Sequence, residues 1–225
     1  MRTVELEKLL GRNLNETEQK HSPRRMYIEG VMKIPIPRLT ASVIGTRQPS
    51  KEGIEEARRL VKTLVDNNIC VISGLAAGID TVAHRTAIDA GGKTIAVLGT
   101  PLDKTYPASN HGLQQEIMEN HLAVSQFYAG HPITRSNFVM RNHTMALASG
   151  ASIIVEAGEN SGTAYQGWEA IRLGRPLFVC EPATKRNPQW LDKMKSYGAV
   201  ILKNYDDMLK VMSTDVKIMD VFNHT

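Results

Sequence analysis

Apolar residues gather in short, β-branched-rich runs separated by helix-length stretches where they recur every three or four positions. The runs cover residues 41–45, 69–73, 93–98, 122–126, 151–156, 176–180 and 199–202. Between them the spacing predicts helices over 51–67, 78–90, 110–120, 137–149, 162–173, 188–197 and 205–213. Apolar strands alternating with helices pair in parallel through right-handed crossovers. The expected fold is therefore α/β, a doubly wound, mostly parallel, Rossmann-like sheet with helices on both faces. The punctuation agrees. Ser50 and Glu52 open the first long helix, Asn67-Asn68 close it, and Gly91-Gly92 close the next.

Residues 1–38 read differently. Val4, Leu6, Leu9 and Leu10 are spaced as one face of a short helix, and Ile34-Pro35-Ile36-Pro37 reads as a stiff linker. This stretch is expected to form an N-terminal helical arm that packs on the main domain or mediates self-association. The Rossmann-like domain would span 39–213, with a tail over 214–225.

Composition narrows the class. A chain of 225 residues suits one α/β domain, and with 5% aromatic residues its core must be mostly aliphatic. No apolar run reaches the length of a membrane span, and the polar N-terminus lacks the apolar stretch of a secretory signal. A cytoplasmic protein with no membrane partner is expected. Cys70 and Cys180 sit in strand-like runs and read as buried free thiols. The formal net charge of +4 leans mildly toward polyanionic partners.

In open α/β sheets, ligands bind beyond the carboxyl ends of the strands, so the residues after each run matter most. Gly45-Thr46-Arg47 follows the first; glycine permits close approach, and arginine pairs bidentately with phosphate. It also reads as an ordinary turn with a solvated arginine. Ser73, Gly74 and Gly78 shape the next turn. Asp80 is placed to cap the following helix, with His84 one turn on; the two would support each other and hold the loop. The long loop after the third run carries Lys104 for a phosphate, Tyr106 for a base or a core cover, and Asn110. Arg135, Phe138 and Arg141 interleave charge with an aromatic ring, a pattern that suits single strands. Phe138 also reads as core, and Arg141 with Asn142 as structural, pairing a strand-end carboxylate such as Glu156. Ser161, Gly162 and Thr163 at a helix start make an anion cradle or a plain cap. No nucleophile stands at a telling spacing from a base, so no catalytic residue, metal or cofactor is assigned.

These segments, in this order, resemble the DprA/Smf family: Gly45-Thr46-Arg47, SGLAAGIDTVAH over 73–84, GGKTIAVLG over 91–99, Tyr106-Pro107 with Asn110, NFVMRN over 137–142, and IIVEA over 153–157 followed by Ser161-Gly162. The resemblance covers about residues 40–181. It implies a Rossmann-like domain that binds single-stranded DNA without catalytic turnover, protects incoming strands in natural transformation, helps load the recombinase RecA and forms homodimers. It also implies DNA contacts at Arg47, Arg135 and Phe138. The chain departs from the family pattern at Ala77 and His143, where basic residues are usual, at Ser125-Gln126, and at Cys180-Glu181-Pro182. SGTAYQGWEA stands where the family has SGSLxTA, and the C-terminal winged-helix-like domain of many members is not seen. SGTxxxxxEA is similar to a wider superfamily that includes LOG phosphoribohydrolases, whose PGG is missing here. A nucleotide-like ligand, with Glu156 and Glu159 facing sugar hydroxyls or a cation, therefore stays open beside DNA. So does an interaction protein with a vestigial pocket.

Overall fold

The computed structural model describes residues 1–159, 161–185 and 188–222, with 214–222 as backbone alone; the last part of the 214–225 tail, residues 223–225, lies outside the described residues. The centre is a parallel sheet. Strand β3 (Thr40–Gly45) leads through α3 (Lys51–Asp66) to β4 (Cys70–Ser73), then through α4 (Ile79–Asp89) to β5 (Thr94–Leu98). A 3-10 turn at Ala108–Asn110 and α5 (His111–Asn120) lead on to β6 (Leu122–Ser125). The chain then crosses back through α6 (Arg135–Ala148) to β7 (Ala151–Glu156), which pairs with β3 on its other side. Helix α7 (Gly162–Arg172), β8 (Leu177–Val179), α8 (Glu181–Thr184), α9 (Gln189–Ser196), β9 (Val200–Ile201) and α10 (Tyr205–Phe222) complete the second wing.

Side-chain alternation explains the layers, because successive strand residues face opposite ways. Ile44 and Ile72 join Met145, Leu147, Ala164 and Met194 in a core on one face. Val43 and Val71 join Leu60, Leu64, Ala83 and Met208 on the other. β4 and β5 are buried along their whole length, and β3 is buried up to its last residue, Gly45, which is why they read as continuous apolar runs. Cys70 and Cys180 are buried free thiols.

The N-terminal stretch carries more than a helical arm. Leu6, Leu9 and Leu10 do lie on a short helix, α1 (Leu6–Leu10), and a second turn, α2 (Glu16–Gln19), follows. Val4 belongs instead to strand β1 (Arg2–Glu5), which pairs antiparallel with β2 (Arg25–Gly30). β2 in turn pairs antiparallel with β6. The sheet thus has nine strands among the described residues, ordered β1-β2-β6-β5-β4-β3-β7-β8-β9.

The described residues contain no helix long and apolar enough to cross a membrane.

Candidate nucleic-acid interface

That strand order fixes where a ligand cleft must open. The chain winds outward from β3 in one direction and from β7 in the other, so the loops after these adjacent strands diverge at their carboxyl ends. The β3–β7 register shifts between Ile44 and Gly45, and the Thr46 amide returns to the Glu156 carbonyl at 2.8 Å. Beyond it lies a cavity of about 540 Å³, lined by Gly45, Thr46 and Arg47 from one loop and Ser161, Gly162 and Thr163 from the other. A smaller cavity of about 220 Å³ adjoins it under Tyr106, and Arg47, Phe138 and Arg141 line both.

The floor is a buried polar staple. Asp80 does not cap α4; Gly78 holds that position, at φ +80°. A side chain on Gly78 would strike the Thr46 carbonyl, so only glycine lets α4 start this close to the β3 loop. Asp80 reaches back instead and accepts from the amides of Gly74 and Ala76 at 3.1 and 3.3 Å. Burial pushes its carboxyl above the usual range, against the opposing pull of Arg141 and those amides. Arg141 lies 4.0 Å from Asp80 and donates to the Val97 carbonyl at 3.3 Å. Its guanidinium lies where a Cβ on Gly74 would stand. Arg141 is thus structural, as its sequence context suggests, but its carboxylate is Asp80 and not Glu156. Sequence spacing cannot reveal that pairing, because it forms only when α6 crosses over the sheet.

The expected mutual support of Asp80 and His84 is replaced by separate bonds. His84 Nδ1 pairs with the Thr94 hydroxyl at 2.7 Å. Its pKa is pushed down to about 3, by burial first and then by the charges of His121 and Arg141. Asn110 supports the loop by donating to the Leu75 carbonyl and the Thr81 hydroxyl, both at 2.9 Å. Ser73 is buried and donates to the Val43 carbonyl.

The two glutamates are engaged by the protein. Glu156 accepts from both the amide and the hydroxyl of Ser50, the N-cap of α3. Glu159 accepts from the Gln189 amide at the start of α9. These protein donors account for both carboxylates, and no cluster of three or more metal-ligating side chains forms among the described residues.

Arg47 is exposed and has no ion-pair partner among the described residues. Behind it, burial lowers the pKa of Arg141, Asp80 opposes that shift, and the charge of Arg47 adds to it. Phe138 is half-buried, with its ring 5.3 Å from that of Tyr106, which is 49% exposed. Ser161 does cap α7, accepting from the Thr163 amide at 3.1 Å, while the space beside Gly162 is open. Asn142 lines the larger cavity. Lys104 and Arg135 are exposed nearby but line neither cavity. The sequence reading misses Gln166, a buried residue of the larger cavity. Its signal is a lone amide among Thr163, Gly167 and Ala170, on the inner face of α7.

The family of the DNA recombination-mediator protein A matches residues 6–213. The chain belongs to this family. It is 39% identical over 138 residues to the DNA processing protein DprA of Streptococcus pneumoniae, covering 61% of this chain and 49% of that protein. It is 33% identical over 193 residues to the putative DprA of Mycobacterium tuberculosis, covering 84% of this chain and 49% of that protein. The chain spans about half the length of these two relatives. The DprA structure from Helicobacter pylori, described for that protein's single-stranded DNA binding mode, superposes with a TM-score of 0.80 at 26% identity, covering 95% of this chain and 96% of that one. Against the DprA/Smf pattern, Ala77 lies in the smaller cavity, while His143 is buried between α6 and α7 and bonds Glu169 at 2.8 Å.

Proposed function

We propose that the cleft binds single-stranded DNA, with phosphates on Arg47 and the N-terminus of α7 and bases against Phe138 and Tyr106. One observation carries the reading: an exposed arginine, an open helix start and a half-buried aromatic pair converge at the switch point of the sheet. The helix N-terminus and the guanidinium favour an anion. The rings favour an unpaired base, which a duplex does not offer. Arg135 and Lys104 would extend the basic rim. The kinship with DNA processing proteins supports the same ligand.

Fluorescence anisotropy with a labelled oligo-dT strand and its duplex counterpart, over a salt series, tests this. Single strands should bind tighter than duplex and lose affinity steeply with salt. Arg47→Ala should weaken binding to every sequence alike and flatten the log–log salt slope by about 0.7, as loss of one phosphate contact does. Binding unchanged in Arg47→Ala would remove the central contact.

On family grounds we also infer a cytoplasmic homodimer that passes its strand to the recombinase RecA. Sedimentation, and RecA filament assembly on strands coated with this protein, are the matching measurements.

A further inference from the structure

The cleft accounts for one stretch of basic surface and leaves another. Lys20-His21-Ser22-Pro23-Arg24-Arg25 joins α2 to β2, and Lys20, His21, Arg24 and Arg25 are exposed. None of Lys20, Arg24 and Arg25 forms an ion pair among the described residues, although Glu5 stands opposite Arg25 in the β1–β2 register. Cations gathered on one turn repel one another, and an anion relieves that repulsion. The fold sets this turn at the carboxyl end of the parallel strands, the end where the cleft opens. β2 runs antiparallel to β6, with Tyr27 opposite Ser125, so the start of β2 lies beside the chain that leaves β6. That chain carries Tyr128, which is 55% exposed and has the ring of His131 edge-on to it at 5.2 Å. It then enters α6, where Arg135 is exposed and Phe138 lines both cavities. From the turn to the cleft the order is Arg24 and Arg25, Tyr128, Arg135, Phe138, Arg47. Charge and ring alternate along it, as in grooves that track a single strand. Arg135 lines neither cavity, and this order gives it a place.

We propose that the turn over 20–25 and Tyr128 form a second strand contact outside the cleft. Lys20, Arg24 and Arg25 hold phosphates, Tyr128 stacks one base, and the strand runs from Arg47 over the start of α6 to β2. This rests on the strand-binding reading above. β2 lies four strands from β3 in the sheet, roughly 19 Å at the usual strand spacing. A stacked strand covers that distance with about six nucleotides. Short strands therefore fill the cleft alone, and longer ones reach both contacts.

The experiment is a set of anisotropy titrations with labelled oligo-dT of about 4 to 16 nucleotides, the range of single-strand site sizes, each over a salt series. It uses the wild type, Arg47→Ala, Tyr128→Ala and the triple variant Lys20→Gln, Arg24→Gln, Arg25→Gln. The replaced side chains are exposed, and thermal melts report whether each variant is folded. A longer strand offers more registers to every protein alike, so comparison between variants removes that gain. The triple variant should keep the wild-type affinity for the shortest strand and lose on the order of 10-fold or more for the longest. Its log–log salt slope on the longest strand should flatten by about 2, as loss of three phosphate contacts does. Tyr128→Ala should weaken only the long strands, on the order of 10-fold, with the slope unchanged. Long-strand affinity and slope that stay at wild-type values in both variants would overturn the second contact and leave the cleft standing. An equal loss on short and long strands would overturn it too, because the turn would then belong to the cleft's own footprint. Long-strand binding that survives in Arg47→Ala and vanishes in the triple variant would sink the cleft reading and keep the turn as the binding surface. No binding of any strand would sink both.

Discussion

His84 shows how a single buried side chain sets the response to acid. Folded, its ring titrates at about 3; unfolded, it returns to its ordinary value near 6.5. Between those two values the unfolded chain binds a proton that the folded chain refuses. Stability therefore rises with pH across this window, and acidification below about 6.5 removes up to about 1.4 kcal/mol per pH unit through this residue. Above 6.5 the residue adds no slope. Urea denaturation of wild type and His84→Gln from pH 7 to pH 4 checks this. The variant's stability should fall less steeply, and parallel curves would assign the acid lability elsewhere. The Asp80–Arg141 pair beside it teaches a complementary lesson. Removing either partner leaves a charge buried alone, and such losses cost about 3–5 kcal/mol, so variants at these positions report on folding before they report on ligand.

At the scale of elements, the N-terminal strands depend on one carboxylate. Glu18 is 2% exposed and accepts from Arg12 at 2.7 Å through both oxygens and from Arg175 at 2.5 Å. Burial raises its pKa, but the bonds from Arg12 and the Asn15 amide and the two arginine charges outweigh that, and the carboxyl ends below its usual range. Glu18→Ala should destabilise the arm by on the order of 2 kcal/mol, less than a fully buried pair because Arg12 keeps partial access to water. Hydrogen exchange should quicken in β1 and β2 while β3, β4 and β5 stay protected; uniform loss of protection would mean that the arm and the sheet unfold together. These two strands are also the elements that the sequence conceals. RTVE buries only Val4 and RMYIEG only Met26 and Ile28, and β2, which β1 pairs with, is itself placed by β6, far away in sequence. The interior strands were legible because burial on both faces leaves an uninterrupted apolar run. In the cleft, Arg47 and the Ser161-Gly162-Thr163 helix start were legible because they follow strand ends directly. The Arg141–Asp80 pairing and the buried Gln166 were not, since both arise from how helices lie across the sheet.

For the whole molecule, the modest net charge of +4 means that any tight grip on DNA must come from local placement, not from bulk attraction. The cleft concentrates that placement between two loops which only the folded sheet brings together, so the proposed strand binding would be linked to folding. A ligand that binds the folded state alone, present at about 100 times its dissociation constant, stabilises it by about 2.7 kcal/mol. In a chain of this size that raises the melting temperature by about 5–10 °C. The rise should appear with a single strand at low salt and shrink as salt weakens phosphate contacts. It should be smaller in Arg47→Ala at the same strand concentration. Differential scanning calorimetry with and without oligo-dT, at two salt concentrations, measures all of this in one series. A rise that ignores salt would show that the stabilising contacts are to bases and not to phosphates, and would move the weight of recognition from Arg47 to Phe138 and Tyr106.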